Sequence, residues 1–557
     1  MDMKHAAALW ASLPAAVRYP LLASGSGVTR LLRIAETLAG AINSDQPGIV
    51  PLEPALCDMV AHAWEADIFH RKAAALTRQL HTQMPFLFPG TAAFCTNCAT
   101  LRTNFLDVGQ SVAAALETGD TESAKKLLSL MAAKEPENLF WFRFAMHLGL
   151  FCNELDWYEP WLSHGSLPLA FAGQVRADYC FARGSWDAAL PLYRNAFTET
   201  GLTGNLVRAG ECALRLGDRA QAAALWKVSA GRRPWQIHLL LRLDDLLRGR
   251  DMPGAIPPGR GEIFLYSWNN GDELDATFAS LAASDTGSAA ITVLDNGSRD
   301  ATGDVIAAWR ARFGERFRSI TLPVNVGAPA ARNWLLGTRA AGEADWVVFL
   351  DDDIVLPPEW LRYFGASMAA HADAVVHGCR IVDAAVPLRA QSVDFHFEPQ
   401  VLSNGELAGS MSFSIAAAHT DACDFGQFGY MRPAVSVTGC CHLLTRKSLD
   451  VTGGYDLRFS PSQFDDLERD LRAALQDHTC WYNGHLAVAH KKRSGQGATT
   501  TPWQQANIDG NLAKLMASYP PVRIAAIVAR DMAEQEHLCN ETLRRLAEQE
   551  SPSGNWS

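Results

Sequence analysis

Three consecutive aspartates, Asp351-Asp352-Asp353, follow the apolar run Val347-Val348-Phe349-Leu350. Like charges repel, so each carboxylate needs a donor, a path to solvent or a cation. Side chains alternate along an extended strand, which puts Asp351 and Asp353 on the same side. Two carboxylates so placed make a hard-oxygen site for Mg²⁺ or Mn²⁺, completed by phosphate oxygens and water. A solvated acidic turn, or a helix capped by Asp353, would account for the same residues without a ligand. The neighbouring strand ends favour the ligand. Ile263-Phe264-Leu265-Tyr266 runs into Ser267-Trp268-Asn269-Asn270, and Ile291-Thr292-Val293-Leu294 runs into Asp295-Asn296-Gly297-Ser298. Ile320-Thr321-Leu322 leads to Asn325-Val326-Gly327 and on through Ala328-Pro329 to Arg332-Asn333. In an open parallel sheet, ligands bind beyond the carboxyl ends of the strands.

The elements that must carry these residues are legible from periodicity. The four apolar runs recur at roughly 28-residue intervals with helical stretches between them, which predicts a doubly wound α/β domain. Ahead of it, six of the twelve residues from Gly249 to Arg260 are Gly or Pro, and this reads as a linker between two separable halves. The half before the linker is rich in Ala and Leu at helical spacing. Within it, Gly119-Asp120 is followed by Ala124, Leu128 and Pro136, and Gly217-Asp218 by Ala222, Trp226 and Pro234 at the same offsets. Gly184 is followed by Ala189 and Tyr193, with Gly201 where Pro would stand. This pattern resembles the tetratricopeptide repeat, in which Gly opens a tight turn, Ala admits a neighbouring helix and a bulky residue fills the groove. The chain divides into a helical region 1–100, repeats 101–248, linker 249–260, an α/β domain 261–500 and helices 501–557.

Composition sets the outer bounds. The chain has 557 residues, 48% hydrophobic and 20% charged, with a net charge of −11. That is ample core for several domains and argues against nucleic acid as a partner. Apolar stretches such as Trp346 to Leu350 fall far short of a membrane span, and Met1 to Leu9 lacks a signal-like core, so the expected location is cytoplasmic. Twelve scattered cysteines, including Cys95-Thr96-Asn97-Cys98 and the vicinal Cys440-Cys441, suit a reducing compartment and read as structural thiols.

Further along, Gly453-Gly454-Tyr455-Asp456 precedes an acidic helix start, Phe464-Asp465-Asp466-Leu467-Glu468-Arg469-Asp470-Leu471-Arg472. Taken in order with Asp295-Asn296-Gly297-Ser298, Asn325 to Asn333 and Asp351/Asp353, these motifs resemble an inverting family-2 glycosyltransferase of GT-A fold, over Gly261 to about Ser494. The resemblance implies a nucleotide-sugar donor, a UDP-sugar, and a divalent cation, Mn²⁺ or Mg²⁺. It places Asn269 and Asp295 at the uracil and ribose, Arg332 near the diphosphate, Asp351 on ribose or metal, and Asp353 on the metal. Ser267, Asn325, Gly327 and Asp352 complete the donor-binding set. Asp466, or Asp465 with the register moved by one, is the implied general base, since the family's first carboxylate is usually Glu. His490 occupies the position of a further metal ligand, or is a hydrogen-bonded surface histidine beside Lys491-Lys492-Arg493. As a strand-end carboxylate, Asp353 is expected to be exposed. The reading is a hexosyltransferase whose tetratricopeptide-like half binds a protein acceptor. The alternatives are an envelope polysaccharide or glycolipid transferase, a nucleotidyltransferase, and an inactive scaffold.

Overall fold

The runs read as strands pair as their alternation with helices requires. The structure, a computed structural model, describes residues 3–43, 50–397, 415–416, 419, 422–492 and 501–549. β1 (Gly261–Ser267), β2 (Ala290–Asp295), β3 (Phe317–Thr321) and β4 (Trp346–Leu350) are parallel, in the order β3-β2-β1-β4. Helices Gly271–Ala282, Thr302–Phe313 and Ala328–Leu336 lie in the crossovers. β1, β2 and β4 are covered on both faces, which is why they read as continuous apolar runs. β3 starts at Phe317, ahead of the run that predicts it, because that ring is buried and stacks on Phe313 with centroids 5.5 Å apart.

β5 (Ile354–Val355), β6 (Val376–Asp383), β7 (Ala390–Ser392), β8 (Met431–Ala434), β9 (Cys441–Thr445) and β10 (Cys480–His490) complete one mixed sheet. β9 runs antiparallel between β4 and β6, and β10 lies parallel to β6. The parallel strands expected from the recurring runs are therefore present in the first half of the sheet, while the second half is mixed. The β4–β9 pairing sets Leu350 opposite Cys441, and so brings the residues just outside both strands together.

Every regular element described between Met3 and Arg248 is a helix. The repeat residues behave as their types dictate. Gly119, Gly184 and Gly217 take φ of 75°, 73° and 84°, the left-handed region that ends one helix and turns toward the next. Asp120 and Asp218 then cap the following helices, accepting from Ser123 N at 3.0 Å and Gln221 N at 2.9 Å. Ala124, Ala189 and Ala222 are buried, with Leu128, Tyr193 and Trp226 one turn on.

Residues 250–260 form no helix or strand, as their composition predicts, but the two halves share one core. One apolar core includes Trp226, Leu240 and Leu243 of the helical half, Phe428, Tyr430 and Ala434 at β8, and Leu543 and Leu546 of helix Pro521–Glu548. Polar contacts cross the same boundary. Asp245 Oδ2 accepts from Met431 N at 2.8 Å and meets His485 Nε2 at 2.9 Å, while Asp244 pairs with Arg545 at 2.7 Å. Tyr19 donates to Asp531 at 2.6 Å, His396 joins Asp531 to Asp394, and Arg432 links Asp394 to the carbonyls of Leu22 and Ala23. A Gly/Pro run reports the local backbone; it is silent about the faces on either side. Among the described residues no single helix is long and apolar enough to cross a membrane.

Candidate active site

The strand-end aspartates sit in three different settings. Asp351 N donates to Cys440 O at 2.8 Å, locking the end of β4 to the start of β9. Asp352 turns back toward β1, where Ser267 Oγ donates to its Oδ2 at 2.5 Å. Asp353 is 2% exposed, not the exposed carboxylate its strand-end position predicts. It is enclosed because β10 ends against it: Lys491 N donates to Asp353 O at 2.9 Å, and His490 Nε2 lies 3.1 Å from Oδ1. Its Oδ2 is buried with no hydrogen-bond partner, and a carboxylate oxygen so placed is chemically suited to ligate a divalent cation.

His490 is buried as well, so it is not a surface histidine. Its Nδ1 lies 2.8 Å from Gln391 Oε1, and Gln391 Nε2 donates to His490 O at 3.2 Å. The nearby charges act as expected. Burial pushes Asp351 up against the opposing pull of Arg332, and pushes Asp352 up to about 6 despite the Ser267 hydrogen bond. Burial also acts upward on Asp353, but His490 and Lys492 outweigh it and hold this carboxyl below its usual range. His490 is raised in turn, because the Asp353 contacts overcome its burial. Lys491 pairs with Glu273, and Lys492 Nζ stands 3.9 Å from Asp353 Oδ2. Arg493 lies outside the described residues.

The second acidic element is helix Asp465–Ala474. Asp465, 3% exposed, receives Arg332 Nη1 at 2.6 Å. Burial pushes it up to about 6, against the pull of that guanidinium. Arg332 also reaches Gly439 O at 3.3 Å and stands 3.8 Å from Asp351 Oδ1, so one buried cation joins the acidic helix to the aspartates after β4. Asp466 is half-buried, with Oδ2 accepting from Gly439 N at 2.6 Å and Oδ1 from Leu467 N at 2.8 Å. Glu468 faces elsewhere, held by Arg472 at 3.0 Å and the Tyr519 hydroxyl at 3.0 Å.

The remaining predicted residues shape the loops beyond β1, β2 and β3. Asn269, at φ 49°, accepts from Arg299 N at 2.7 Å, and Asp295 Oδ1 accepts from Ser298 N at 2.9 Å. Asn325 Oδ1 accepts from Gly327 N at 2.8 Å and from Asn296 Nδ2 at 2.9 Å. Gly327 has φ 84°, and a Cβ there would meet Pro461 at 3.2 Å, so the residue is needed both for its backbone and for its size. These four residues tie adjacent loops together around the strand ends.

Two site residues escape the sequence reading. Cys440 places its sulfur with Asp351 and His490 so that their ligand atoms all lie within 4.8 Å of one another. Asp470 takes Ser436 Oγ at 2.7 Å, and burial pushes it up to about 7. Asp466 and Asp470, one helical turn apart, thus grip the segment Ser436 to Gly439 that leads into Cys440. The CxxC pair does not belong to this site: Cys95 and Cys98 are buried in the helical half, and Cys95 Sγ donates to Ala74 O at 3.3 Å.

Residues 263–449 match the family model described as "Glycosyl transferase family 2". This segment is thus similar to the family-2 glycosyltransferases. The matched span holds Ser267, Asn269, Asp295, Asn325, Gly327, Arg332 and Asp351 to Asp353, while Asp465, Asp466 and His490 of the same sheet-end cluster lie beyond it. No curated protein matches the chain. Among solved structures, the chain's likenesses include GalNAc-T7 with UDP, GalNAc and Mn²⁺, at 11% identity and TM-score 0.35 over 47% of this chain and 48% of that one. The chain therefore spans about half the length of GalNAc-T7. Mannosyltransferase PcManGT from Pyrobaculum calidifontis, in complex with GDP-Man and Mn²⁺, aligns at 14% identity and TM-score 0.33 over 62% and 88% of the two chains. S. aureus TarS aligns at 15% identity and TM-score 0.30 over 53% and 44%.

Proposed function

We propose that the chain is a metal-dependent inverting glycosyltransferase that moves a hexosyl group from a UDP-sugar to an acceptor hydroxyl. The supporting observation is the Arg332 bridge, which puts the acidic helix and the strand-end aspartates on either side of one guanidinium inside a family-2 transferase domain. Asp351, Asp353 and His490 hold the divalent cation, which when bound neutralises the charge growing on the departing diphosphate. Asn269 and Asp295 hold the nucleoside, with Ser267, Asn325, Gly327 and Asp352 shaping its pocket. Arg332 lies by the diphosphate and opposes the burial that raises the Asp465 carboxyl.

Asp466 is the general base in this reading. Asp465 is committed to Arg332, and Glu468 to Arg472 and Tyr519, whereas the Asp466 oxygens accept only backbone N–H groups among the described contacts and retain lone pairs for an acceptor hydroxyl. Base attack from the face opposite the diphosphate gives inversion at the anomeric carbon. The helical half, with its tetratricopeptide-like Gly-Asp turns, captures the acceptor, a cytoplasmic protein, since stacked helix pairs present concave surfaces to peptides.

The test is calorimetric titration of full-length protein with UDP-sugars in the presence and absence of Mn²⁺, followed by NMR assignment of the product anomer. Mn²⁺-dependent binding of one UDP-sugar and an inverted product are expected. A retained anomer, or equal binding without any divalent cation, overturns the reading.

A further inference from the structure

We propose that Cys440 is a sulfur ligand of the divalent cation, so that this site takes a borderline ion of the Zn²⁺ or Co²⁺ kind in preference to Mg²⁺. The inference rests on the cation site of the proposed function and adds to it the donor atom that decides which ion is held. Carboxylates and water alone suit Mg²⁺ and Mn²⁺, whereas thiolate with imidazole selects softer ions.

Backbone pairing puts the thiol there. Leu350 faces Cys441 across β4 and β9, and Asp351 N donates to Cys440 O at 2.8 Å, so Asp351 and Cys440 leave the two strands side by side. His490 arrives from the end of β10. The Asp351 oxygen, the Cys440 sulfur and the His490 nitrogen then lie within 4.8 Å of one another, a spread that ordinary metal–ligand bonds of about 2.0 to 2.3 Å nearly span. Each ligand comes from a different strand end, and each is fixed by its backbone.

Two further observations bear on the site. Gln391 Nε2 donates to His490 O at 3.2 Å, which fixes the amide and turns Oε1 to His490 Nδ1 at 2.8 Å. The ring is thus held between Gln391 Oε1 at Nδ1 and Asp353 Oδ1, 3.1 Å from Nε2. The second observation is Asp353 Oδ2, enclosed in a residue 2% exposed, with no hydrogen-bond partner and only the Lys492 ammonium, 3.9 Å away, near it. Cys441 offers a natural control. Both cysteines border the same apolar core, but only Cys440 groups its sulfur with Asp351 and His490, while Cys379 Sγ donates to the Cys441 carbonyl at 3.4 Å. On binding, the Cys440 thiol releases its proton to solvent and its sulfur lone pair forms the new bond, with no change of oxidation state.

Metal-free full-length protein titrated with Co²⁺ tests this. A thiolate-to-cobalt charge-transfer band in the near ultraviolet is expected, saturating at one ion per chain with release of a proton. Cys440→Ser and Cys440→Ala lose the band, and Cys441→Ser keeps it. Cd²⁺ affinity falls at least ~10-fold in Cys440→Ser while Mg²⁺ affinity moves less than ~3-fold. X-ray absorption of Zn²⁺-loaded wild type needs no cysteine variant and should show one sulfur that disappears in Asp353→Asn. One Co²⁺ per chain, lost in Asp353→Asn but lacking the charge-transfer band and any sulfur neighbour, overturns the Cys440 ligand and leaves the proposed cation site standing. No Co²⁺ bound at all overturns both.

Discussion

Arg332 Nη1 lies 2.6 Å from Asp465 Oδ2, and Nη2 of the same guanidinium stands 3.8 Å from Asp351 Oδ1. All three groups are taken largely out of water, so removing the cation leaves carboxylates facing each other with no compensating charge. Arg332→Ala is expected to cost about 3–5 kcal/mol in urea unfolding, the usual scale for breaking a buried pair. Adding Asp465→Asn should recover part of that loss, because no charge is then stranded. Strictly additive losses would show that the two side chains do not act as a pair.

Asp353→Asn keeps the side-chain shape and removes the charge. Mn²⁺ should raise the melting temperature of wild type, by an amount equivalent to ~2.7 kcal/mol at a hundredfold excess over Kd. The variant should show no Mn²⁺-dependent rise. An equal rise in both places the ion elsewhere.

Asp466→Asn should lower turnover by roughly 10² to 10⁴ while UDP-sugar binding stays near wild type. Asp465→Asn should behave differently, lowering the melting temperature through the loss of its partner Arg332. If Asp465→Asn shows the larger turnover defect with unchanged stability, the base is Asp465.

Asp470 gives a pH signature. Burial carries this carboxyl from its ordinary 3.8 up to about 7. Between those values the folded chain binds a proton that the unfolded chain has released, so wild-type stability falls as pH rises through the window. Asp470→Asn cannot titrate there, and its stability relative to wild type should climb by up to ~4 kcal/mol between pH 4 and pH 8. A difference that does not vary with pH means Asp470 stays ionised. Because Asp470 holds Ser436, the variant should also raise KM or lower kcat through displacement of Gly439, which holds Asp466.

The fragment 260–557 should fail to fold when expressed alone, since it exposes the faces of Phe428, Tyr430 and Leu543 that the helical half covers. Co-expression with 1–248 should restore soluble protein. A stable fragment with a cooperative melt would show that the shared core is dispensable.

Asp351 and Asp353 stand out in the sequence because three adjoining carboxylates are hard to explain structurally and strand alternation places them. Cys440 does not stand out. A thiol ahead of an apolar run reads as core filling, and only the antiparallel β4–β9 pairing sets it beside Asp351. The same contrast holds for the sheet. Its parallel half declares itself by regular recurrence, but β8 is Met431-Arg432-Pro433-Ala434, whose buried Arg432 is matched by Asp394 from a distant segment. Such a strand depends on its partners rather than on its own residues, so no local pattern marks it. The linker fails for a related reason: Gly249 to Arg260 is irregular, yet Trp226 and Tyr430 on either side of it share one core.

The buried set Tyr19, Asp531, His396, Asp394 and Arg432 bears on the order of synthesis. Tyr19 leaves the ribosome roughly five hundred residues before its partner Asp531. At 5–20 residues per second, that is an interval on the order of tens of seconds. Through that time the first helices lack the surface that finally covers them, and a chaperone able to hold them has a long window in which to act.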